Sequence, residues 1–360
     1  MMRRTGTADL PLHGGHAPRW LFSRMVRLSR ALIEVMALEF GVEEFLRRIA
    51  DPHWFQAFGC VLGFDWHSSG LTTTVCGAVK EALAPVARDL GLFVCGGKAR
   101  ASRRTPEEIL SWLEKGGLPQ EFSALVQKSR LAAKIDNTAL QDGYQLYHHC
   151  FFFTRKGAWA VVQQGLNEKT SYARRYHWLG ERIRKMTQEP HSGIASQRKE
   201  ETVLNLVARE SLRAQEAIVS LTKEGPSRIM KEIERAKHLV LPRRHSLTEA
   251  DLKPRGLEKV LLKTYESPPK DFEALLGVRG LGPKNLRALA LLSELVYDVS
   301  VSRKDPAKYS FAHGGKDGHP YPVNRKVYDE SIAYLEELLA KARLEHSEKM
   351  KAFRRLHQLF

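Results

Sequence analysis

Cysteine is scarce in this chain of 360 residues: there are four, and no two of them form a Cys-x-x-Cys pair. That argues against a zinc ribbon. Cys60, Cys76, Cys95 and Cys150 lie in apolar or aromatic surroundings, which suits reduced, buried thiols of a cytosolic protein. Long apolar runs are missing too, and no window reaches the roughly 18 residues that a membrane span requires. The N-terminus holds two arginines but no apolar core followed by a small-residue cleavage site. The expectation is a soluble, cytoplasmic protein with no membrane partner. Neither an internal repeat nor a long low-complexity tract is present. Gly96-Gly97-Lys98 lacks the Walker spacing, so nucleotide hydrolysis does not follow from it.

What the chain has in excess is positive charge. The formal net charge is +16, of which +5 falls on positions 1–170 and +11 on positions 171–360. Acidic polymers are the expected partners, although charge alone does not separate DNA from RNA or a membrane surface. The length suggests more than one domain. Helical spacing begins at Pro18 and runs to about Phe40, followed by GVEEFLRRIA and VCGAVKEALAPVARDL, while Asp51 to Thr74 reads as irregular. LFVCGG reads as a strand and CFFFTRKGAWAVVQQG as a β-hairpin turning at Arg155-Lys156-Gly157, and these are the only convincing strands. Thr105-Pro106-Glu107-Glu108 has the pattern of a capping box opening a helix. The polar stretch TQEPHSGIASQRK, positions 187–199, reads as a linker. The expected fold is α+β and predominantly helical. A mixed N-terminal domain over 1–190 carries a small hairpin sheet and a polar cleft, and an all-helical domain covers 191–360.

The most specific local signal is LLGVRGLGPKNLRALALL, positions 275–292. Gly280 and Gly282 permit a sharp turn that brings main-chain N–H groups close to a phosphate, and Pro283 fits the first turn of the helix that follows. Leu281 would plug the hairpin, Leu286, Leu289 and Leu292 would pack it, and Lys284 and Arg287 add charge. The pattern resembles the helix-hairpin-helix element of DNA repair and recombination proteins; an ordinary helical corner closed by Gly and Pro is the plainer alternative. Lys284 also stands where the glycosylases of that class place a nucleophilic lysine, which would need an acid such as Asp305 or Asp317.

Polar residues gather in four further places: Asp9, His13 and His16; Asp65, His67, Ser68 and Ser69; Lys134, Asp136, Asp142, Tyr144, Tyr147, His148 and His149; and Gln163-Gln164. Carboxylates with imidazoles can hold a divalent ion that activates water against a phosphodiester. Asp65, His67, Asp136, Asp142 and His148 are the catalytic candidates, with Asp65, His67 and Asp142 as ligands of Mg or Mn. Each of them, taken singly, is more often a cap, a turn residue or a satisfied buried group than a ligand. Lys98, Arg103 and Arg104 would hold phosphates, and Arg174 to Trp178 mix cations with aromatics as single-strand binding surfaces and core rims both do.

The stretches RRTGTADLPLHGGHAPRWLF, DPHWFQAFGCVLGFDWHSSGLTTTVCGA, DNTALQDGYQLYHH, FFF and YSFAHGGKDGHPYPV resemble the family catalogued as domain of unknown function 763 nearly end to end. The resemblance implies an archaeal or bacterial, often thermophilic, origin and no particular activity. The residues themselves point to DNA processing: a metal-dependent nuclease of DNA repair acting on single-stranded, branched or damaged DNA, with RNA as a further possible substrate. The competing expectations are a glycosylase/lyase using Lys284 and a non-catalytic DNA-binding scaffold.

Overall fold

A computed structural model describes residues 17–64, 69–237, 256–308 and 325–357. Its centre follows from the apolar run at the end of β3 (Gln145–Thr154), where side chains alternate between two covered faces. Cys150 and Phe152 enter one hydrophobic cluster, and Phe151 and Phe153 enter another. The strand lies in a five-stranded antiparallel sheet with β1 (Leu92–Lys98), β4 (Trp159–Asn167), β5 (Tyr172–Leu179) and β6 (His191–Ser196), in the order β1-β3-β4-β5-β6. Two residues of β2 (Leu140–Gln141) pair separately with β7 (Leu204–Asn205). The protein is α+β and mostly helical, with helices on both faces of the sheet.

On the Cys150 face pack α1 (Arg19–Phe40), α2 (Val42–Ile49), α3 (Pro52–Val61) and α4 (Gly70–Leu83). The opposite face takes α7 (Thr105–Gly116) and α8 (Ala124–Lys134), reached through the short α5 (Ala87–Leu90) and α6 (Arg100–Arg103). The same face takes α9 (Leu212–Lys223), α10 (Pro226–Lys237), α11 (Leu257–Glu266), α12 (Phe272–Leu276) and α13 (Pro283–Tyr297). The closing pair, α14 (Arg325–Lys341) and α15 (His346–His357), returns to the first layer, where Leu335, Leu339 and Leu356 share a cluster with Trp54 and Phe58.

Several expectations need correction. The stretch 187–199 is not a linker, because β6 pairs with β5 through Tyr176–Ile194 and its neighbours. With α14 and α15 back on the first layer, position 190 does not part the chain into two separate blocks. The irregular stretch after Asp51 contains α3, whose start is capped by the Asp51 carboxylate accepting from the N–H groups of His53 (2.8 Å) and Trp54 (3.2 Å). That helix is buried on every side, so it shows no amphipathic stripe. The capping box at Thr105 does not form. The turn of α6 runs directly into α7, Thr105 donates to the Ser102 carbonyl at 2.7 Å, and Glu108 accepts from Gly96 N–H and the Lys80 ammonium instead.

Candidate functional site

The hairpin at 272–297 forms from local instructions. Asp271 caps α12 by accepting from Ala274 N–H at 2.8 Å. The chain then turns through Gly280 at φ +102, a conformation that favours glycine, and reaches Gly282 in an extended conformation immediately before α13. Leu281 is buried and points into the core with Leu286, Leu289 and Leu292, whereas Gly280 is exposed and Gly282 half-exposed. A Cβ at Gly282 would meet nothing within 4 Å. Lys284 and Arg287 are exposed, and Arg287 Nε donates to Gln141 Oε1 at 3.1 Å.

This turn leans on α8 and β2. Lys134 donates from Nζ to the Leu281 carbonyl, and Gln141 Nε2 donates to the Pro283 carbonyl at 2.8 Å. Burial lowers the Lys134 pKa. Between the two bodies opens a cleft of about 690 Å³, with Gly282 and Pro283 on one wall, Tyr147, His148 and His149 on another, and Arg103 and Arg130 among its lining residues. Glu107 adds one acidic group. A neighbouring cleft of about 730 Å³ shares Arg130 and Lys134 and adds Lys270, Arg279 and Gly280, with Asp271 and Glu273 opposing them. Of the expected phosphate ligands, Arg103, Gly282 and Gly280 therefore line these clefts, while Lys98 and Arg104 are exposed and line neither. Lys284 and Arg287 also fall outside both linings.

Gly96 brings β1 close to the cleft wall. Its φ is +93, and a Cβ there would lie 2.2 Å from the His149 carbonyl oxygen and 2.6 Å from Thr105 Oγ1, so only glycine fits. On the α4 side of the sheet His148 meets two thiols. Cys76, His148 and Cys150 are all buried, and one ligand atom from each lies within 4.8 Å of the others, a group able to bind a metal ion. Burial lowers the His148 pKa to about 3, reinforced by His149 and Lys98, and leaves a neutral imidazole. Burial also pushes the Cys76 thiol up, with Cys150 adding to the effect.

The carboxylates expected as catalysts are already engaged. Asp136 Oδ2 accepts from Gln163 Nε2 at 2.6 Å and Trp178 Nε1 at 2.8 Å, and Oδ1 lies 2.5 Å from His191 Nε2. Gln163 Oε1 lies 2.8 Å from His149 Nδ1, which must carry the proton, so His149 Nε2 accepts from the Ser129 hydroxyl at 2.8 Å. Asp142 is a counter-ion: its Oδ2 accepts from Arg174 Nη1 at 2.9 Å and from the Tyr176 hydroxyl at 2.8 Å. Arg174 also grips Asp305 at 2.7 and 3.0 Å. Burial opposes the charge of Arg174, but Asp142, Tyr176 and Asp305 together raise its pKa.

The structure thus brings Arg103, His148 and Gly282 to one cleft and holds Asp136 and Asp142 in separate buried networks. Asp65 and His67, like Asp9, His13, His16, Ser68 and Asp317, lie outside the described residues. The Asp65–His67–Asp142 ligand set loses Asp142, whose oxygens are taken by Arg174, Tyr176 and Tyr144 N–H. The lyase arrangement loses Asp305 to Arg174, and its Lys284 is exposed rather than desolvated. The Arg174–Trp178 mixture is core, not a surface platform. Sequence reasoning missed Cys76, Cys150 and Arg130. The alternation His148-x-Cys150 on a strand is a signal that leads to Cys150; nothing in the sequence leads to Cys76.

Comparison with known proteins gives one match, to the family model described as protein of unknown function (DUF763), over residues 6–323. No curated protein and no solved structure matches the chain.

Proposed function

The chain belongs to the DUF763 family, and we propose that it is a DNA-processing protein: a metal-dependent nuclease of DNA repair that draws a strand through the cleft between the Gly280–Gly282 turn and β3. One observation carries this reading. Gly282, at the start of a fifteen-residue helix, and His148, of the metal-capable group, line the same cleft, together with Arg103 and Arg130. Amides at a helix start and exposed guanidinium groups are what a phosphate backbone requires, and they position a strand without reading its bases. Strand structure would then select the substrate, which favours single-stranded, branched or damaged DNA and leaves RNA as a competing ligand. An ion held by Cys76, His148 and Cys150 would sit on the α4 side of β3, behind the strand that lines the cleft, and would supply Lewis acidity there. The hard-donor assignment to Mg or Mn would need a carboxylate such as Asp65, with Asp142 freed from Arg174.

A second reading has its own support. The three donors are almost fully covered, and closed metal sites are usually structural. The protein would then be a DNA-binding scaffold whose metal ties α4 to the sheet. The test is incubation of the full chain with single-stranded, forked and abasic DNA, each with and without added divalent ions. The nuclease reading expects metal-dependent cleavage that His148→Ala removes while binding persists. Binding without cleavage under every condition decides for the scaffold, and absence of binding overturns both.

A further inference from the structure

Cys76 sits on α4, and His148 and Cys150 sit two residues apart on β3, so strand alternation presents both to the same helix. All three side chains are buried, with one donor atom from each within 4.8 Å of the others. A second observation is independent of that clustering. Neither ring nitrogen of His148 has a hydrogen-bond partner among the described residues. The same sheet satisfies its other buried histidines on both nitrogens. His149 is bonded to Ser129 and Gln163, and His177 to Arg175 and the Ile49 carbonyl. A fold that satisfies both nitrogens of His149 and of His177 leaves His148 aimed at a ligand outside the described residues.

We propose that Cys76, His148 and Cys150 hold one thiophilic divalent cation of the zinc class, joining α4 to β3. Two thiols and an imidazole are soft to borderline donors, which select zinc-like ions over Mg and Mn. Binding converts both thiols to thiolates and releases two protons, so two negative charges balance the ion and a buried net charge is avoided. Three protein donors leave one tetrahedral position, and with the group almost fully covered a single water is the remaining ligand. The assignment deepens the metal-dependent reading above and rests on that reading only for what the ion does to DNA.

The test uses the full chain purified under reducing conditions, exposed to zinc, then dialysed and analysed for metal. About one equivalent of zinc per chain is expected. Cobalt in its place should give a thiolate-to-metal charge-transfer band and the intense visible absorption of a tetrahedral ion. Cys150→Ser and His148→Gln should lose the ion, and far-ultraviolet circular dichroism with cooperative unfolding checks that each variant is folded. If both variants fail to fold, the cobalt spectrum and the fall in melting temperature of the wild-type chain on chelation, reversed by zinc, decide the question. No retained zinc, preference for Mg or Mn, or a cobalt spectrum without the thiolate band would overturn the assignment. Bound zinc without DNA cleavage leaves this site standing and removes only the nuclease reading; metal-dependent cleavage by a chain that retains no zinc removes this site and leaves the nuclease reading.

Discussion

Lys134 donates its ammonium hydrogen bond to the main-chain oxygen of Leu281, 147 residues away, and so pins the glycine turn of the hairpin to the last turn of α8. The turn could have pointed into solvent far from the polar face of β3. Held by Lys134 and by Gln141, it instead forms one wall of the cleft that contains His148. Sites separated widely in sequence thereby share one groove.

Gly282→Asp separates binding from folding. The residue occupies the cap position of α13 with open space around its Cα, and an aspartate there can accept from the first helical amides. Stability should stay level or rise by a few tenths of a kcal/mol, roughly the Gly-to-Asp difference at a cap. The added carboxylate repels a phosphate by about 1 kcal/mol, weakening DNA about fivefold. Thermal melts and a binding titration check both halves. Full affinity in a folded variant would remove the turn from the interface.

Asp142→Ala should act on the fold rather than on chemistry alone. Its carboxylate accepts from the buried Tyr176 hydroxyl and from Arg174, which keeps Asp305, so the loss should be that of buried donors left unsatisfied, about 1–3 kcal/mol. Denaturant unfolding measures the loss. An unchanged midpoint together with lost cleavage would return Asp142 to the catalytic set.

The hairpin was legible because its determinants are local: two glycines, a proline and leucines at helical spacing all lie within eighteen residues. So were β1, β4 and the part of β3 from Cys150 onward, where apolar residues run together; Gln145 to His149 of the same strand read only as a polar stretch. β5 was not, because Arg174, Arg175 and His177 break the alternation and are buried only by virtue of partners elsewhere in the chain, such as Asp305 and Gln56. β6 offers a single large apolar residue, Ile194. The density of polar residues around 134–149 was visible, but not which of them the fold consumes. Asp136 and Asp142 are spent on buried donors, while His148 next to them keeps both nitrogens without partners among the described residues.

Acid should destabilise the protein through His177. Burial, with Arg175 beside it, holds its pKa well below the usual 6.5, and Arg175 Nε donates to its Nε2 at 2.8 Å. The unfolded chain takes up a proton below about pH 6.5 that the folded imidazole refuses. Stability is therefore unaffected above that pH and falls by up to about 1.4 kcal/mol per unit as pH drops below it. Urea midpoints at pH 7.5 and pH 5 should differ less in His177→Gln than in the wild type. Equal pH slopes in the two proteins would show that His177 titrates normally.

The salt dependence of single-stranded DNA binding tests the cleft most directly. Arg103 and Arg130 are exposed side chains on opposite elements of its lining, α6 and α8. If each neutralises one phosphate, the double variant Arg103→Ala with Arg130→Ala should bind every sequence more weakly. Its log–log salt slope should be shallower by about 1.4, or 0.7 per lost contact. A slope identical to that of the wild-type chain, or a wild-type chain that does not bind at low salt, would contradict the account.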